Sequence, residues 1–261
     1  MSAYKNPWFQ LRSPAPNAAL RLFCFPYAGG SASVFHDWPE LLSHDVEVIA
    51  VQYPGRGYRF GEPLIASCAN MVAAMVPSIV PWLSKPYAFF GHSNGGLLSF
   101  ELALTLQRMG HPGPVHHFIS GKSPVHLPRR RKPLHNLTEE AFIHELRNLG
   151  GTPREFIDDP ELMRLFLPIL RADFALGETY SYAWRGKRLK TAVSYLYGRQ
   201  DESYAEGDEA AWSELIDGAV DSVGYDGGHF FIHSHKQDVI RYVDGKLRGC
   251  ITAEKGRLRY A

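Results

Sequence analysis

A serine at position 93 lies in the pattern GHSNG (residues 91–95), between a short apolar run and a helix-forming stretch. The pattern G-x-S-x-G is typical of a strand-to-helix turn that projects a nucleophilic serine clear of the backbone. Such a turn needs small residues beside the serine, and the flanking glycines and Gly96 meet that need. A serine before a helix can also act only as its N-cap, but that interpretation gives the glycines no function. The sequence therefore predicts Ser93 as a nucleophile.

A serine hydroxyl needs a base that accepts its proton and an acid that orients the base. In the fold class typical of this turn, the order along the chain is serine, acid, histidine. His229 follows a Gly-Gly pair directly after the last apolar run, which favours a loop position for the base. Asp201 ends a strand that runs into a glycine-containing loop, and it is predicted as the acid. Asp226 is the alternative, although a carboxylate before Gly-Gly is also ordinary turn chemistry.

Hydrolysis through a serine also needs donors that hold the negatively charged oxygen of the tetrahedral intermediate. One donor is usually the backbone N–H of the residue after the nucleophile, which here is Asn94. The second usually comes from a loop after an earlier strand, and residues 26–30 (PYAGG) contain glycines that let the backbone approach a substrate. We therefore predict that the backbone N–H groups of Ala28 and Asn94 form an oxyanion hole.

His229, His233 and His235 are near one another in sequence, as metal ligands often are. No carboxylate or cysteine completes a recognisable ligand pattern, so no metal is predicted. The cysteines are odd in number and widely spaced, which favours reduced thiols over a disulfide framework. They are Cys24, Cys68 and Cys250.

Six apolar, β-rich runs alternate with helical patterns along most of the chain. This alternation is typical of an α/β protein whose mostly parallel central sheet is flanked by helices. Together with the serine turn, it predicts the α/β-hydrolase fold. A further short strand at 8–11 is predicted to form a hairpin with the first long strand. The long strands are predicted at 20–25, 46–51, 87–90, 115–120, 191–197 and 220–225, and the helices at 66–83, 95–109, 208–216 and 236–247.

The alternation stops in residues 123–186, where two helices are predicted with no strand between them. We interpret this segment as a helical lid inserted into a hydrolase core made of residues 1–122 and 187–248. Apolar side chains of the lid helices either pack against the core or line an acyl-binding groove, and both interpretations stay open. Residues 249–261 are polar and have the composition of a disordered tail. The lid helices are predicted at 138–149 and 159–176.

The composition is that of an ordinary globular protein, because 261 residues with 45% hydrophobic and 21% charged side chains can bury one substantial core. A net charge of +1 gives no overall field that would attract nucleic acid or an anionic membrane. The N-terminus lacks a secretory-signal pattern, and no apolar run reaches the ~20 residues of a membrane span. We therefore expect a cytoplasmic protein that binds neither nucleic acid nor membranes.

Six segments spread over residues 21–243 carry a family resemblance. They are LFCFPYAGGSAS (22–33), VQYPGRGYRF (51–60), FFGHSNGGLLSFELA (89–103), ELRNLGGTP (145–153), LMRLFLPILRADFALGETY (162–180) and GGHFF (227–231). Through them the chain resembles the type II thioesterases. The resemblance implies a stand-alone enzyme that works beside nonribosomal peptide or polyketide synthases and hydrolyses unwanted acyl groups from the phosphopantetheine arms of carrier domains. It also implies the triad Ser93, Asp201 and His229, and a mobile helical lid.

The chain departs from the family pattern at Asn94 and Gly95, where the family usually has Met and Ala. The backbone N–H of residue 94 does not depend on the side chain, so the predicted oxyanion hole is retained. No bound cofactor is expected, since the phosphopantetheine is carried by the acyl or peptidyl carrier domain that delivers the substrate. We expect a monomer.

A strongly basic run, Arg129, Arg130, Arg131 and Lys132, opens the predicted lid. Charge runs are most often solvated loops. The alternative interpretation is a docking surface for an acidic carrier domain, whose approach opposite charge would accelerate.

Two other function classes fit the same scaffold. One is a different acyl-processing enzyme, either a fatty-acyl carrier-protein thioesterase or an acyltransferase, which analysis of the products would separate. The other is a binding protein that keeps the fold without activity. Loss of a triad residue would favour it, and all three candidates are present.

Overall fold

A seven-stranded sheet forms the centre of the protein in the computed structural model, which describes residues 6–183 and 186–259. The strand order is β1-β3-β2-β4-β5-β6-β7, and all pairs from β2 to β7 are parallel. The predicted α/β class with a mostly parallel sheet is confirmed. The strands are β1 (Phe9–Gln10), β2 (Leu20–Phe25), β3 (Val46–Val51), β4 (Tyr87–His92), β5 (His116–Ser120), β6 (Val193–Gly198) and β7 (Val220–Tyr225).

The short strand β1 lies at the edge of the sheet and not beside β2 as predicted. It pairs antiparallel with β3, with Phe9 opposite Val51. The predicted hairpin with β2 is therefore wrong. β2 lies between β3 and β4 and has no free edge, so β1 pairs with the outer edge of β3 instead.

Helices cover both faces of the sheet, and each face has its own hydrophobic cluster. One cluster includes α2, α3 and α7, while the other includes α1, α8 and α9. Buried strand residues alternate between them, so that Phe23 belongs to the first and Leu22 to the second. The helices are α1 (Trp38–Leu41), α2 (Cys68–Ile79), α3 (Asn94–Arg108), α4 (Glu139–Leu149), α5 (Arg154–Ile157), α6 (Pro160–Glu178), α7 (Asp208–Leu215), α8 (Phe231–Ser234) and α9 (Lys236–Arg259).

Three helices, α4 to α6, lie between β5 and β6, inside the segment interpreted as a lid. Thr138 caps α4 and Asp159 caps α6, each through a side-chain oxygen that accepts from a first-turn N–H. The short α5 was not predicted. These helices bury an apolar cluster of their own, which holds them together apart from the two clusters of the sheet. It contains Phe142, Leu146, Ile157, Met163, Leu167 and Leu170.

The last helix corrects the expectation of a disordered tail after residue 248. α9 continues to Arg259, and Leu247 and Ile251 are buried in the cluster on its face of the sheet. Ile251, one helical turn beyond Leu247, keeps this end of α9 packed against the sheet. The overall composition of residues 249–261 is polar, so it does not reveal this single buried position. Residues 260 and 261 lie outside the described residues.

Within residues 6–183 and 186–259, no helix is both long and apolar enough to cross a membrane.

Candidate active site

Ser93 lies in the sharp turn that joins β4 to α3. Its backbone has φ 56° and ψ −116°, and among the described non-glycine residues it alone has a positive φ. Such a conformation is strained for a residue with a side chain, and it is typical of the turn that exposes a nucleophile. A Cβ at Gly91 would overlap the carbonyl of Gly95, and one at Gly95 would overlap the carbonyl of Phe25. Alanine therefore does not fit at position 95. This corrects the expectation that alanine is usual at this position, because glycine there is a requirement of the turn and belongs to the G-x-S-x-G pattern.

His229 and Asp201 meet on the loops that follow β7 and β6. His229 Nδ1 donates a hydrogen bond to Asp201 Oδ2 at 2.6 Å. The other carboxylate oxygen accepts from the backbone N–H and the hydroxyl of Ser203, each at 2.8 Å. Burial acts to raise the pKa of Asp201, but the hydrogen bonds from His229 and Ser203 outweigh it and lower that pKa to about 2. Asp201 is thus an ionised carboxylate that orients the imidazole.

Asp226, the alternative acid, lies elsewhere. Its carboxylate pairs with Arg199 at 2.9 Å, and its side chain is 78% exposed. Asp201 is 5% exposed and contacts His229 directly. The geometry favours Asp201 over Asp226 as the partner of His229.

His92, inside the serine turn, supports the loop that carries His229. It is fully buried, its Nε2 lies 3.0 Å from the backbone oxygen of His229, and its Nδ1 lies 2.8 Å from Ser120 Oγ. Burial, together with the nearby His229 imidazole, lowers the pKa of His92 well below its usual value. A neutral His92 that donates to a carbonyl and accepts from a hydroxyl fits both contacts. This positioning role of His92 was not predicted from the sequence, although the residue stands inside the G-x-S-x-G pattern.

Ser93, His229, Ala28 and Asn94 line one cavity of roughly 1010 Å³, counting the part open to solvent. Ser93 Oγ makes no hydrogen bond with His229 here, as is common in catalytic sites without substrate. The cavity lies between the sheet and the inserted helices, which supply most of its apolar wall. Apolar lining residues are Leu146, Leu149, Leu170, Phe174 and Phe230.

The two predicted oxyanion donors lie beside this cavity. The backbone N–H of Ala28 donates to no described residue. Asn94 is the first residue of α3, so its N–H has no partner within the helix. Both groups are therefore free to bind an oxygen in the cavity.

The loop that carries Ala28 is held in place by α6. Gly29 N–H donates to Asp173 Oδ2 at 2.7 Å, and the Arg56 guanidinium donates to both oxygens of that carboxylate at 2.5 and 2.8 Å. Arg56 and Asp173 are each 4% exposed. Neither Arg56 nor Asp173 is among the site residues predicted from the sequence. Their pairing spans 117 positions, and no local pattern predicts it.

The side chain of Asn94 also binds α6. Its Nδ2 donates to the backbone oxygen of Asp173 at 2.7 Å. Gly177, one helical turn later, leaves room for it, since a Cβ there would overlap the Asn94 amide. Asparagine at this position therefore links the serine turn to α6.

A second group of serine, histidine and aspartate exists in the described structure. Ser194 Oγ lies 2.8 Å from His116 Nε2 and 2.8 Å from Asp221 Oδ1. Here the serine lies between the other two side chains, so the histidine is not oriented by the acid as in a triad. Ser194 is fully buried in β6, and none of the three residues lines the Ser93 cavity. The group stabilises the sheet.

The four side chains of the basic run at 129–132 lie in two different environments. Arg130 donates to both oxygens of the buried Asp208 at 2.5 and 2.8 Å, so it stabilises the fold. Arg129, Arg131 and Lys132 line the cavity that contains Ser93.

The histidines near His229 do not gather around a common point. His233 Nε2 lies 2.8 Å from the Tyr27 hydroxyl, while His235 contacts Ser234. No group of three or more histidine, cysteine or acidic side chains with metal-site geometry occurs among the residues that the structure describes.

Known proteins of similar sequence and structure identify the family of this chain. The thioesterase domain family model matches residues 20–247. The chain belongs to the thioesterase family. Gramicidin S biosynthesis protein GrsT of Aneurinibacillus migulanus is 36% identical over 243 residues, which cover 93% of this chain and 94% of that protein.

Solved structures of thioesterases share the fold. The type II thioesterase BorB from the borrelidin biosynthetic cluster superposes with a TM-score of 0.83 at 32% identity, covering 94% of this chain and 97% of that one. ClbQ from the colibactin NRPS/PKS pathway has a TM-score of 0.85 at 30% identity, covering 90% of this chain and 100% of that one. The predicted α/β-hydrolase fold and the resemblance to type II thioesterases are confirmed.

Proposed function

We propose that this thioesterase removes aberrant or stalled acyl groups from the phosphopantetheine arms of carrier proteins in nonribosomal peptide or polyketide synthesis. The observation that carries the proposal is the strained Ser93 in one cavity with a His229 that Asp201 orients at 2.6 Å. The relatives are named for biosynthesis of this kind, which supports the substrate class.

The first half of the reaction transfers the acyl group to the enzyme. Ser93 Oγ attacks the thioester carbon while His229 Nε2 takes the hydroxyl proton. The backbone N–H groups of Ala28 and Asn94 hold the oxyanion. The carbon–sulfur bond then breaks, and the pantetheine sulfur leaves. With cysteine as a model its thiol has a pKa of ~8.5, so the sulfur can leave as a thiolate before it is protonated. The proton on His229 then passes to this sulfur, which releases the free thiol and returns His229 to its neutral form.

Water completes the reaction. His229 takes a proton from a water molecule, whose oxygen attacks the acyl carbon of the acyl-enzyme. The carbon–Oγ bond breaks, the proton returns to Ser93, and a free carboxylic acid leaves. Asp201 stays ionised in both halves and stabilises the imidazolium that forms.

The partner in this proposal is an acyl or peptidyl carrier domain with an acidic face. Arg129 and Lys132 are exposed at the cavity and are placed to meet such a domain as its arm enters. Arg131, beside them, is only partly exposed, and Arg130 is bound to Asp208. We place the activity in the cytoplasm and in a monomer.

The test is hydrolysis of a panel of acylated carrier proteins, with matching free thioesters and an oxygen ester, followed by intact-mass spectrometry. We expect Ser93→Ala to lower the rate at least about 10³-fold with an unchanged circular dichroism spectrum, since the nucleophile is lost while the fold is kept. Release of acyl groups from carriers faster than from free thioesters would support the editing role.

Other products would point elsewhere. Release of mainly medium- or long-chain fatty acids would indicate a fatty-acyl carrier-protein thioesterase, and transfer to an alcohol or amine would indicate an acyltransferase. Equal turnover by Ser93→Ala would remove Ser93 from the mechanism. If neither the thioesters nor the oxygen ester were hydrolysed, the α/β-hydrolase fold would stand and the proposed activity would be wrong.

A further inference from the structure

The cavity that contains Ser93 has a strongly basic wall. Four basic side chains line it, whereas Glu178 is the single carboxylate among its described lining residues. Glu178 is already bound, because its carboxylate pairs with the His135 imidazole at 2.6 Å and accepts from two backbone N–H groups. The wall therefore carries positive charge that the cavity itself does not neutralise. Its basic residues are Lys122, Arg129, Arg131 and Lys132.

These cations are largely free to bind a ligand. Lys122, Arg129 and Lys132 form no ion pair with any other residue in the described ranges. Arg131 pairs with Glu202 at 2.9 Å near the surface, yet its Nε is buried and has no acceptor within the described structure. Arg130, in the same run, is instead bound to Asp208. Within residues 129–132, Arg130 therefore stabilises the fold, whereas the other three cations line the cavity.

The basic wall also faces a neighbouring cavity. Lys122, Arg129 and Arg131 line both spaces, and the second space adds Arg130, Lys187 and Arg188. A substrate that reaches from the second space towards Ser93 must pass the shared cations. Its approach would be guided by their field.

Among these cations, Lys122 is the one whose charged form a bound anion would stabilise most. It is the second residue after β5, and burial lowers its pKa to about 8, with a further contribution from the charge of Arg129. The positive charges of Lys122 and Arg129 repel each other across this wall. An anionic group between them would relieve that repulsion and receive charged hydrogen bonds.

We propose that Lys122, Arg129, Arg131 and Lys132 form a subsite for an anionic oxygen group of the thioester substrate. The group is either the phosphate of the pantetheine arm or a carboxylate on the acyl chain. Both offer the same chemistry, since their oxygens accept charged hydrogen bonds from ammonium and guanidinium groups. The inference rests on the proposed function and adds a charged recognition element to the same cavity.

Matched substrate pairs separate the two sources. Octanoyl-4′-phosphopantetheine and octanoyl-pantetheine differ only in the phosphate, and neither carries a protein. Succinyl-pantetheine and butyryl-pantetheine differ in the acyl carboxylate. For each enzyme the ratio of kcat/KM within a pair reports the effect of the charge, and a partly unfolded preparation lowers both members equally.

We expect one of the two ratios to exceed one in the wild type and to fall about tenfold in Lys122→Met and in Arg129→Gln, because each removes a charged hydrogen bond. Arg129→Lys keeps the charge and should restore most of the ratio. Arg164→Gln is the matched control, since Arg164 lies on α6 and lines a separate depression. Its ratios should equal those of the wild type.

Change in the phosphate ratio assigns the subsite to the arm, and change in the succinyl ratio assigns it to the acyl chain. Ratios near one in the wild type, unaffected by the variants, would overturn the subsite. A calorimetric comparison of phosphorylated and unphosphorylated thioesters binding to Ser93→Ala gives the same test without turnover. If the charged ligand binds more tightly there while the wild type hydrolyses no thioester, the proposed function fails and the subsite stands.

Discussion

At the scale of single residues, the Asp201 carboxylate decides the state of the imidazole. Both of its oxygens act as acceptors, one for His229 and one for Ser203. A carboxylate that only accepts requires the proton on Nδ1 of His229 and leaves Nε2 free as the base. Ser203 matters because it holds the carboxylate in that orientation.

Asp201→Asn should therefore lower kcat by about 10³–10⁴-fold, because an amide can donate to His229 and favour the wrong tautomer. Asp226→Asn is the matched control, since it makes the same chemical change at an exposed carboxylate paired with Arg199. We expect its kcat to stay within about twofold of the wild type. Steady-state kinetics on one acyl thioester measures both. A large loss in Asp226→Asn with little in Asp201→Asn would reverse the assignment.

At the scale of elements, the first turn of α3 lies directly on the end of β2. Gly95 makes this approach possible, as it has no Cβ to overlap the Phe25 carbonyl. β2 leads into the loop that carries Ala28, while α3 begins immediately after Ser93. The closeness of these two elements places both oxyanion donors on the same side of the nucleophile.

Gly95→Ala should lower the free energy of unfolding by about 1–3 kcal/mol or more, because backbone on both sides must shift. Activity per folded molecule should fall with it. Gly245→Ala in α9 is the comparison, since a Cβ there meets nothing within 4 Å. Alanine in an exposed helix position should raise stability by up to about 1 kcal/mol. Urea unfolding of both variants measures this, and similar effects of the two substitutions would contradict the packing argument.

At the scale of the whole molecule, buried histidines couple folding to pH. His92, His116 and His117 lie on adjacent central strands, with at most 6% exposure. Burial is the main cause that lowers the pKa of His116 to about 4, that of His117 to about 3, and that of His92 well below its usual value. Below pH ~6.5 the unfolded chain therefore binds protons that the native protein excludes.

Stability should be full above pH ~6.5 and should fall as the pH drops towards ~4. Three protons bound only by the unfolded chain give a slope of up to about 4 kcal/mol per pH unit. His117→Gln should reduce that slope by about 1.4 kcal/mol per pH unit, whereas the exposed His44→Gln should leave it unchanged. Urea unfolding at pH 7, 6 and 5 tests this. A wild-type stability independent of pH over that range would show that the imidazoles are not excluded from protonation.

Sequence periodicity and local turn chemistry were sufficient for much of this molecule. The ends of the six long strands lie within two residues of their predicted bounds, because buried parallel strands are continuous apolar runs. The Ser93 turn could be located because Gly91 and Gly95 stand at fixed positions on either side of the serine. Gly91 is required by its contact with Gly95, and Gly95 by its contact with the end of β2. Helix caps such as Asp159 are local as well, since the side chain binds the N–H groups of the next turn.

Only the tertiary structure decided features that depend on residues far apart in sequence. It brought Asp201 into contact with His229, paired Arg56 with Asp173, and bound Arg130 to Asp208 while its neighbours line the cavity. It also moved β1 to the edge of β3 and extended α9 into the predicted tail. Periodicity reports which face of an element is buried, but it does not report which distant element covers that face. Partner choice among charged residues follows from the assembled sheet, so it could not be read from the order of residues.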